Sequence, residues 1–208
     1  MKKFLFLAFL VTLLFNACSK KNNNQPKQPA NTVTINGTIY STVVIGSQTW
    51  TSVNYNGPGG ENYNNGANNP TYGKLYTYPE ADAIVLPTGW RVPTETDFNN
   101  LLAATGATNL GGSYLASGNQ SYKLMSKTDW TIVNGTDSLG FNAEPGGYFR
   151  NGDQFYGLGT LAIFLSTTPY FVNGTFPFIL AIQPDASQVT SGIALTTDRG
   201  SVRFVKDN

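Results

Sequence analysis

Pro93-Thr94-Glu95-Thr96-Asp97-Phe98-Asn99-Asn100-Leu101-Leu102-Ala103-Ala104-Thr105-Gly106 is the stretch of this 208-residue chain with the clearest helical pattern. Thr94 suits the N-cap, Asp97 stands where a capping box closes, and Glu95 and Asp97 favour the positive end of the helix dipole. Phe98, Leu101 and Leu102 repeat at the spacing of a buried stripe, and Gly106 suits the stop. Outward from here the helical signal fades. A turn over residues 80–84 and a weaker segment over 121–126 are the other candidates. Residues 32–40, 42–45 and 48–53 are rich in β-branched side chains and broken at Asn36-Gly37 and Gly46-Ser47, which predicts a β-meander. Residues 74–78 read as a short aromatic strand. From Phe141 onward Asn151-Gly152, Asn173-Gly174 and Arg199-Gly200 punctuate short apolar runs as turns. The expectation is an α+β domain, mostly antiparallel, with one or two helices. Residues 54–71, with seven Asn, four Gly and two Pro, read as a long surface loop, either functional or a tolerated insertion.

Charge and composition exclude several chemistries. The chain has 13 Lys+Arg against 12 Asp+Glu, but Lys2, Lys3, Lys20, Lys21 and Lys27 all lie in a first segment without acidic residues. The chain from Thr32 onward is net acidic, which argues against nucleic acid as a partner. There is no histidine and one cysteine. The commonest general base, the Ser-His and Cys-His dyads and the usual zinc ligands are therefore absent. Carboxylate pairs occur at Glu80/Asp82 and Glu95/Asp97, but residues two apart on a helix do not face each other. No convergent acid–base arrangement is visible, so an enzyme is not expected.

The amino terminus reads as an address. Met1-Lys2-Lys3 precedes a twelve-residue apolar run, Phe4 to Phe15, too short to span a bilayer as a helix but suited to a signal peptide. Asn16-Ala17-Cys18 resembles a bacterial lipobox, which would make residues 1–17 a cleaved signal peptide and Cys18 the lipid anchor. An ordinary signal peptide with a chance cysteine is the alternative. Residues 18–31 lack large apolar side chains and read as a flexible stalk, leaving 32–208 as one globular domain. The expected location is the cell envelope, anchored at the outer membrane. Lys20-Lys21 after the cysteine, with no acidic cluster, favours the periplasmic side.

Five ordered segments carry a family resemblance. They are Val44-Ile45-Gly46-Ser47-Gln48-Thr49-Trp50, Tyr72-Gly73-Lys74-Leu75-Tyr76-Thr77-Tyr78, Pro87-Thr88-Gly89-Trp90-Arg91-Val92-Pro93-Thr94, Gly140-Phe141-Asn142-Ala143-Glu144-Pro145-Gly146-Gly147-Tyr148 and Gly200-Ser201-Val202-Arg203-Phe204-Val205-Lys206-Asp207. Together they resemble the Fibrobacter succinogenes major paralogous domain family, a set of secreted and lipid-anchored bacterial proteins. That family often has cysteine at the positions of Leu86 and Phe204, and Trp at that of Leu165. If those cysteines pair in relatives, apolar groups have replaced both here, consistent with a buried contact. Residues 91–98 and 201–204 also resemble formylglycine-generating enzymes, which implies a C-type-lectin-like domain. Their oxidase chemistry is not implied, because it depends on cysteine pairs.

Candidate ligand contacts are read from side-chain chemistry. Sugars stack their C–H faces on aromatic rings while amides and hydroxyls satisfy their oxygens. Tyr63, Tyr72, Tyr156 and Tyr170 are the leading candidates, and Tyr55, Tyr114, Tyr122 and Phe176 share their Asn-, Gly- and Ser-rich surroundings. Gln183-Pro184-Asp185 spells the tripeptide with which C-type lectins, using calcium, select galactose-type sugars. Gln183 and Asp185 are thus weak calcium candidates, against a plain turn, and no other metal or cofactor is expected. Trp90 could face a ligand, but core packing is the simpler expectation. The overall expectation is a binding module for glycans or another envelope ligand. A protein-interaction or structural subunit of an envelope or pilus-like assembly is the alternative.

Overall fold

Thr32–Ile35 (β1) and Thr38–Ile45 (β2) pair antiparallel across Asn36-Gly37, both of which have positive φ. This is the turn geometry that Asn-Gly favours between strands. Gln48–Thr51 (β3) continues the meander, and Val205–Asp207 (β11) pairs with β3 to complete a four-stranded sheet in the order β1-β2-β3-β11. The computed structural model describes residues 31–66, 69–150, 154–170, 176–184, 186–191 and 197–208. Cys18 and Asp185 lie outside the described residues, as do the Asn151-Gly152 and Asn173-Gly174 turn signals.

A seven-stranded sheet, counted among the described residues, forms the other half. It comprises Thr108–Asn109 (β4), Tyr114–Ser117 (β5), Gly146–Arg150 (β6), Gln154–Leu158 (β7), Ala162–Tyr170 (β8), Phe176–Gln183 (β9) and Ala186–Ser191 (β10). Its order is β4-β5-β10-β9-β8-β6-β7, antiparallel except for the single β6–β8 contact. The architecture is α+β.

Glu95–Ala104 (α2) starts as its sequence predicts. Thr94 Oγ1 accepts from the Asp97 N–H, and the Asp97 carboxylate accepts from the Thr94 N–H at 2.8 Å. Tyr78–Asp82 (α1) begins two residues before the predicted turn, because Thr77 and Glu80 form a second capping box with Pro79 in the first turn. Asn119–Tyr122 (α3) is also displaced towards the N-terminus from its predicted position.

Alternation along β8 divides the core. Phe164 faces one cluster with Trp50, Phe98, Leu101, Leu102, Leu180 and Ile182. Ile163 and Leu165 face the other, with Tyr40, Tyr55, Tyr76, Val202 and Phe204. The central strand is therefore buried on both faces. Each large apolar side chain so buried contributes about 1.5–3 kcal/mol. Leu86 packs against the second cluster, which also holds Phe204, so the two positions expected from the resemblance to carry cysteine serve one apolar core here.

Two local expectations are corrected and one hairpin is new. Residues 74–78 form no strand: Leu75 bridges Glu61 and Tyr76 bridges Gly200, so consecutive residues serve different partners before Thr77 caps α1. Arg199-Gly200 is not a turn, since Arg199 bridges Phe149 and Gly200 bridges Tyr76 in extended backbone. The β4–β5 hairpin, turning at Gly111 and Gly112 with positive φ, was not anticipated, because its strands are too short to show alternation.

Candidate functional site

Two of the family-like segments, 140–148 and 200–207, together with residues 51–54, meet at Arg203. Its neighbours Val202 and Phe204 fill the second core cluster, which turns the guanidinium the opposite way. Fully buried, it donates to Asn54 Oδ1 at 2.7 Å and to the Thr51, Phe141 and Asn142 carbonyls, each at 2.8 Å. The cation also lies 4.9 Å from the Phe141 ring centroid and 5.5 Å from that of Phe164. Burial pushes its pKa down to about 9, against the opposing pull of Glu144 and Asp137. Neutral carbonyls take its hydrogen bonds, so Arg203 ties β3, residues 141–142 and the C-terminal segment together.

A second knot joins Arg91 to α2. Arg91 and Val205 exchange backbone hydrogen bonds, and the guanidinium holds Asp97 at 2.6 Å and Asp207 at 2.9 Å. Gln48 Nε2 donates to the same Asp97 at 2.6 Å. Burial opposes ionisation of Asp97, but Arg91, Thr94 and Gln48 outweigh it and hold the carboxyl below its ordinary value. The Glu95/Asp97 pair is thus a cap and an ion pair, not an acid–base couple. Glu80 is likewise engaged, with Arg199 at 2.5 Å and the Thr77 cap.

The exposed aromatic chemistry lies on the β6–β7 hairpin. Cross-strand partners Tyr148 and Tyr156 stack at 5.6 Å and 30° on one face. On the opposite face Phe149 and Phe155 pair at 4.7 Å, and Tyr63 joins Phe155 at 5.1 Å. Tyr156 is 39% exposed and borders a groove of about 450 Å³ with Ile132, Leu161, Gln183 and Pro184. The fold therefore unites two predicted residues, Tyr156 and Gln183, that lie far apart in sequence. Gln183 ends β9, where it pairs with Ala186 of β10.

The other candidates are placed elsewhere. Tyr63 lines a separate hollow of about 300 Å³ with Asn64, Gln154 and Phe155. Tyr72 is half-buried, and burial together with Asp129 and Glu144 pushes its phenol above the ordinary range. Tyr170 ends β8, opposite Phe176 of β9. Tyr55 is a correction: it is 1% exposed and packs against Tyr40, Tyr76 and Phe204. Its position at the boundary of the Asn/Gly-rich segment disguised a core residue. Trp90 is half-buried rather than enclosed.

Glu144 was not singled out by sequence, having no partner at helical or motif spacing. It is buried, Oε1 accepts from the Asn142 amide at 2.8 Å, and Oε2 accepts no hydrogen bond. The nearby Ser126 hydroxyl donates to the Thr128 carbonyl and accepts from the Trp130 indole. Burial pushes the Glu144 carboxyl up, Ser126, Asn142 and Arg203 opposing and Asp129 adding to the rise. Among the described residues no group of three acidic or cysteine side chains is placed to hold a metal.

No curated protein and no solved structure matches the chain. The Fibrobacter succinogenes major domain model matches residues 43–206, which include the β3, Arg91, Phe141 and Arg203 segments joined at the two knots. The chain belongs to the Fibrobacter succinogenes major domain family.

Proposed function

We propose that this protein is a lipid-anchored module of the cell envelope that binds glycans through the Tyr148–Tyr156 groove. The observation that carries this reading is the stacked tyrosine pair beside the amide of Gln183 and the exposed side chain of Ile132. Aromatic faces take the apolar side of a pyranose ring, and the amide and Thr160 hydroxyl offer hydrogen bonds to its oxygens. Cys18 supplies the anchor, the stalk holds the domain away from the membrane, and the periplasmic face of the outer membrane is the proposed location. A C-type-lectin-like scaffold, with calcium as an optional ligand near Gln183 and Asp185, belongs to the same reading. Glycan-array and affinity-gel binding by the full chain, with and without calcium, is the test. Retention on a neutral polysaccharide that Tyr156→Ala weakens supports it; no retention on any polysaccharide overturns it.

The exposed apolar side chain of Ile39 on β2 is the starting point of a second reading, a protein-interaction subunit of an envelope assembly. Co-purification of a stoichiometric partner, lost on Ile39→Lys, would select it.

A further inference from the structure

A second groove, of about 710 Å³, is lined by residues of the four-stranded sheet and of the loop before α2. Val44, Thr49 and Lys206 stand in register across β2, β3 and β11, and Thr42 shares the face of Val44 two residues earlier. Trp90 and Thr88, from the loop before α2, form the facing wall. Lys206 Nζ lies 5.6 Å from the centroid of the Trp90 ring, a cation–π contact that keeps the ammonium at the groove. Lys206 is the single charged residue lining the groove among the described residues. Its neighbour Asp207 points to the other face of the sheet, held by Arg91 at 2.9 Å and Gln48 at 3.2 Å, so it does not neutralise the ammonium. The remaining lining comes from Asn31, Thr32, Val33, Thr34 and Pro87.

We infer that this groove is a separate binding site for carboxylate-bearing saccharides of the uronic acid type. The ammonium pairs with the sugar carboxylate, the indole takes the apolar ring edge, and threonine hydroxyls face the ring oxygens. A neutral sugar leaves the ammonium without a counter-charge, so the site discriminates by charge where the tyrosine groove cannot. Because the rest of the domain carries more acidic than basic residues, the attraction is local, and short oligomers suffice.

This inference extends the glycan reading to a second site and stands independently of Tyr156. Titration calorimetry on the full chain, with oligogalacturonate and a neutral cello-oligosaccharide of equal length, tests it. The expected result is binding of the acidic oligomer that weakens as salt rises, falls about tenfold or more in Lys206→Ala, and is largely kept in Lys206→Arg. Trp90→Ala should weaken it as well, while Tyr156→Ala should affect only the neutral ligand. Equal affinity for both oligomers in Tyr156→Ala, no acidic binding, or an unchanged acidic affinity in Lys206→Ala overturns the inference. So does loss of acidic binding in Tyr156→Ala, which would assign both ligands to one groove. Asn31 at the groove lies close in sequence to the proposed anchor, so vesicles containing anionic phospholipid are a further arm. Lysine-dependent vesicle binding without oligogalacturonate binding would give the groove to a lipid surface and overturn the saccharide assignment.

Discussion

Arg203 and Tyr156 represent two ways of using a polar side chain on the same scaffold. Arg203 is enclosed, its donors occupied by carbonyl and amide oxygens from two separate segments, 51–54 and 141–142. Tyr156 is exposed on a hairpin near the edge of the large sheet, where its hydroxyl bonds only the neighbouring Gln154 at 2.6 Å. The first closes the domain from within, while the second leaves an aromatic face open to solvent.

Substitutions can break this contrast, starting with the largest effect. Arg203→Met should leave the Thr51, Phe141 and Asn142 carbonyls and the Asn54 amide oxygen without donors. A loss of about 3–5 kcal/mol is expected, enough to abolish a cooperative melt followed by circular dichroism. Should Arg203→Met melt like the parent, the hub would be ornamental. Gly147→Ala comes next. Gly147 has φ +69, and a Cβ there would lie 2.4 Å from the Tyr156 carbonyl oxygen and 2.7 Å from the Tyr63 ring. Strain of about 2–4 kcal/mol should appear as a lower denaturation midpoint, accompanied by loss of glycan binding.

Two carboxyls sharpen the comparison through their opposite pH signatures. The Asp97 carboxyl is held below its ordinary value, so its stabilisation is fully present above the unfolded value near about 3.9 and is lost as pH falls through the folded value. Asp97→Asn should lower stability by about 1–2 kcal/mol at pH 7, with the gap to the parent closing on acidification. The Glu144 carboxyl is raised, so its contribution is present below the unfolded value near about 4.3 and declines as pH rises through the folded one. Glu144→Gln should therefore gain on the parent as pH rises from about 4 to about 8 in parallel melts. Tyr156→Ala has the smallest effect on stability, within about 0.5 kcal/mol, because the ring is exposed. Its glycan affinity should nonetheless fall about tenfold if the groove binds as proposed.

The elements that the sequence made legible are those specified locally. The Thr94–Asp97 box and the Phe98, Leu101, Leu102 stripe define α2 within a dozen residues, and Asn36-Gly37 defines its hairpin without outside help. Tyr76 and Gly200 were opaque because each takes its conformation from a partner more than a hundred residues away. The tyrosine groove was half legible. Tyr156 and Gln183 stand out by chemistry, but nothing in the chain announces that Ile132 and Tyr148 join them, since the fold alone makes them neighbours. Tyr55 shows the converse: its Asn- and Gly-rich surroundings suggested a loop surface, while its ring fills the core beneath.

The position of Arg203 also sets when the domain can close. The groups it ties together lie up to 152 residues earlier in the chain, and β11 pairs with β3 across a similar span. At about 5–20 residues per second, the early strands would wait on the order of ten seconds for the cation that completes their core. Until then Trp50 and Tyr55 lack the late-made neighbours that bury them, and local structure has little to lock onto. Closure of the domain therefore waits on residues made about 150 positions after the strands they clasp.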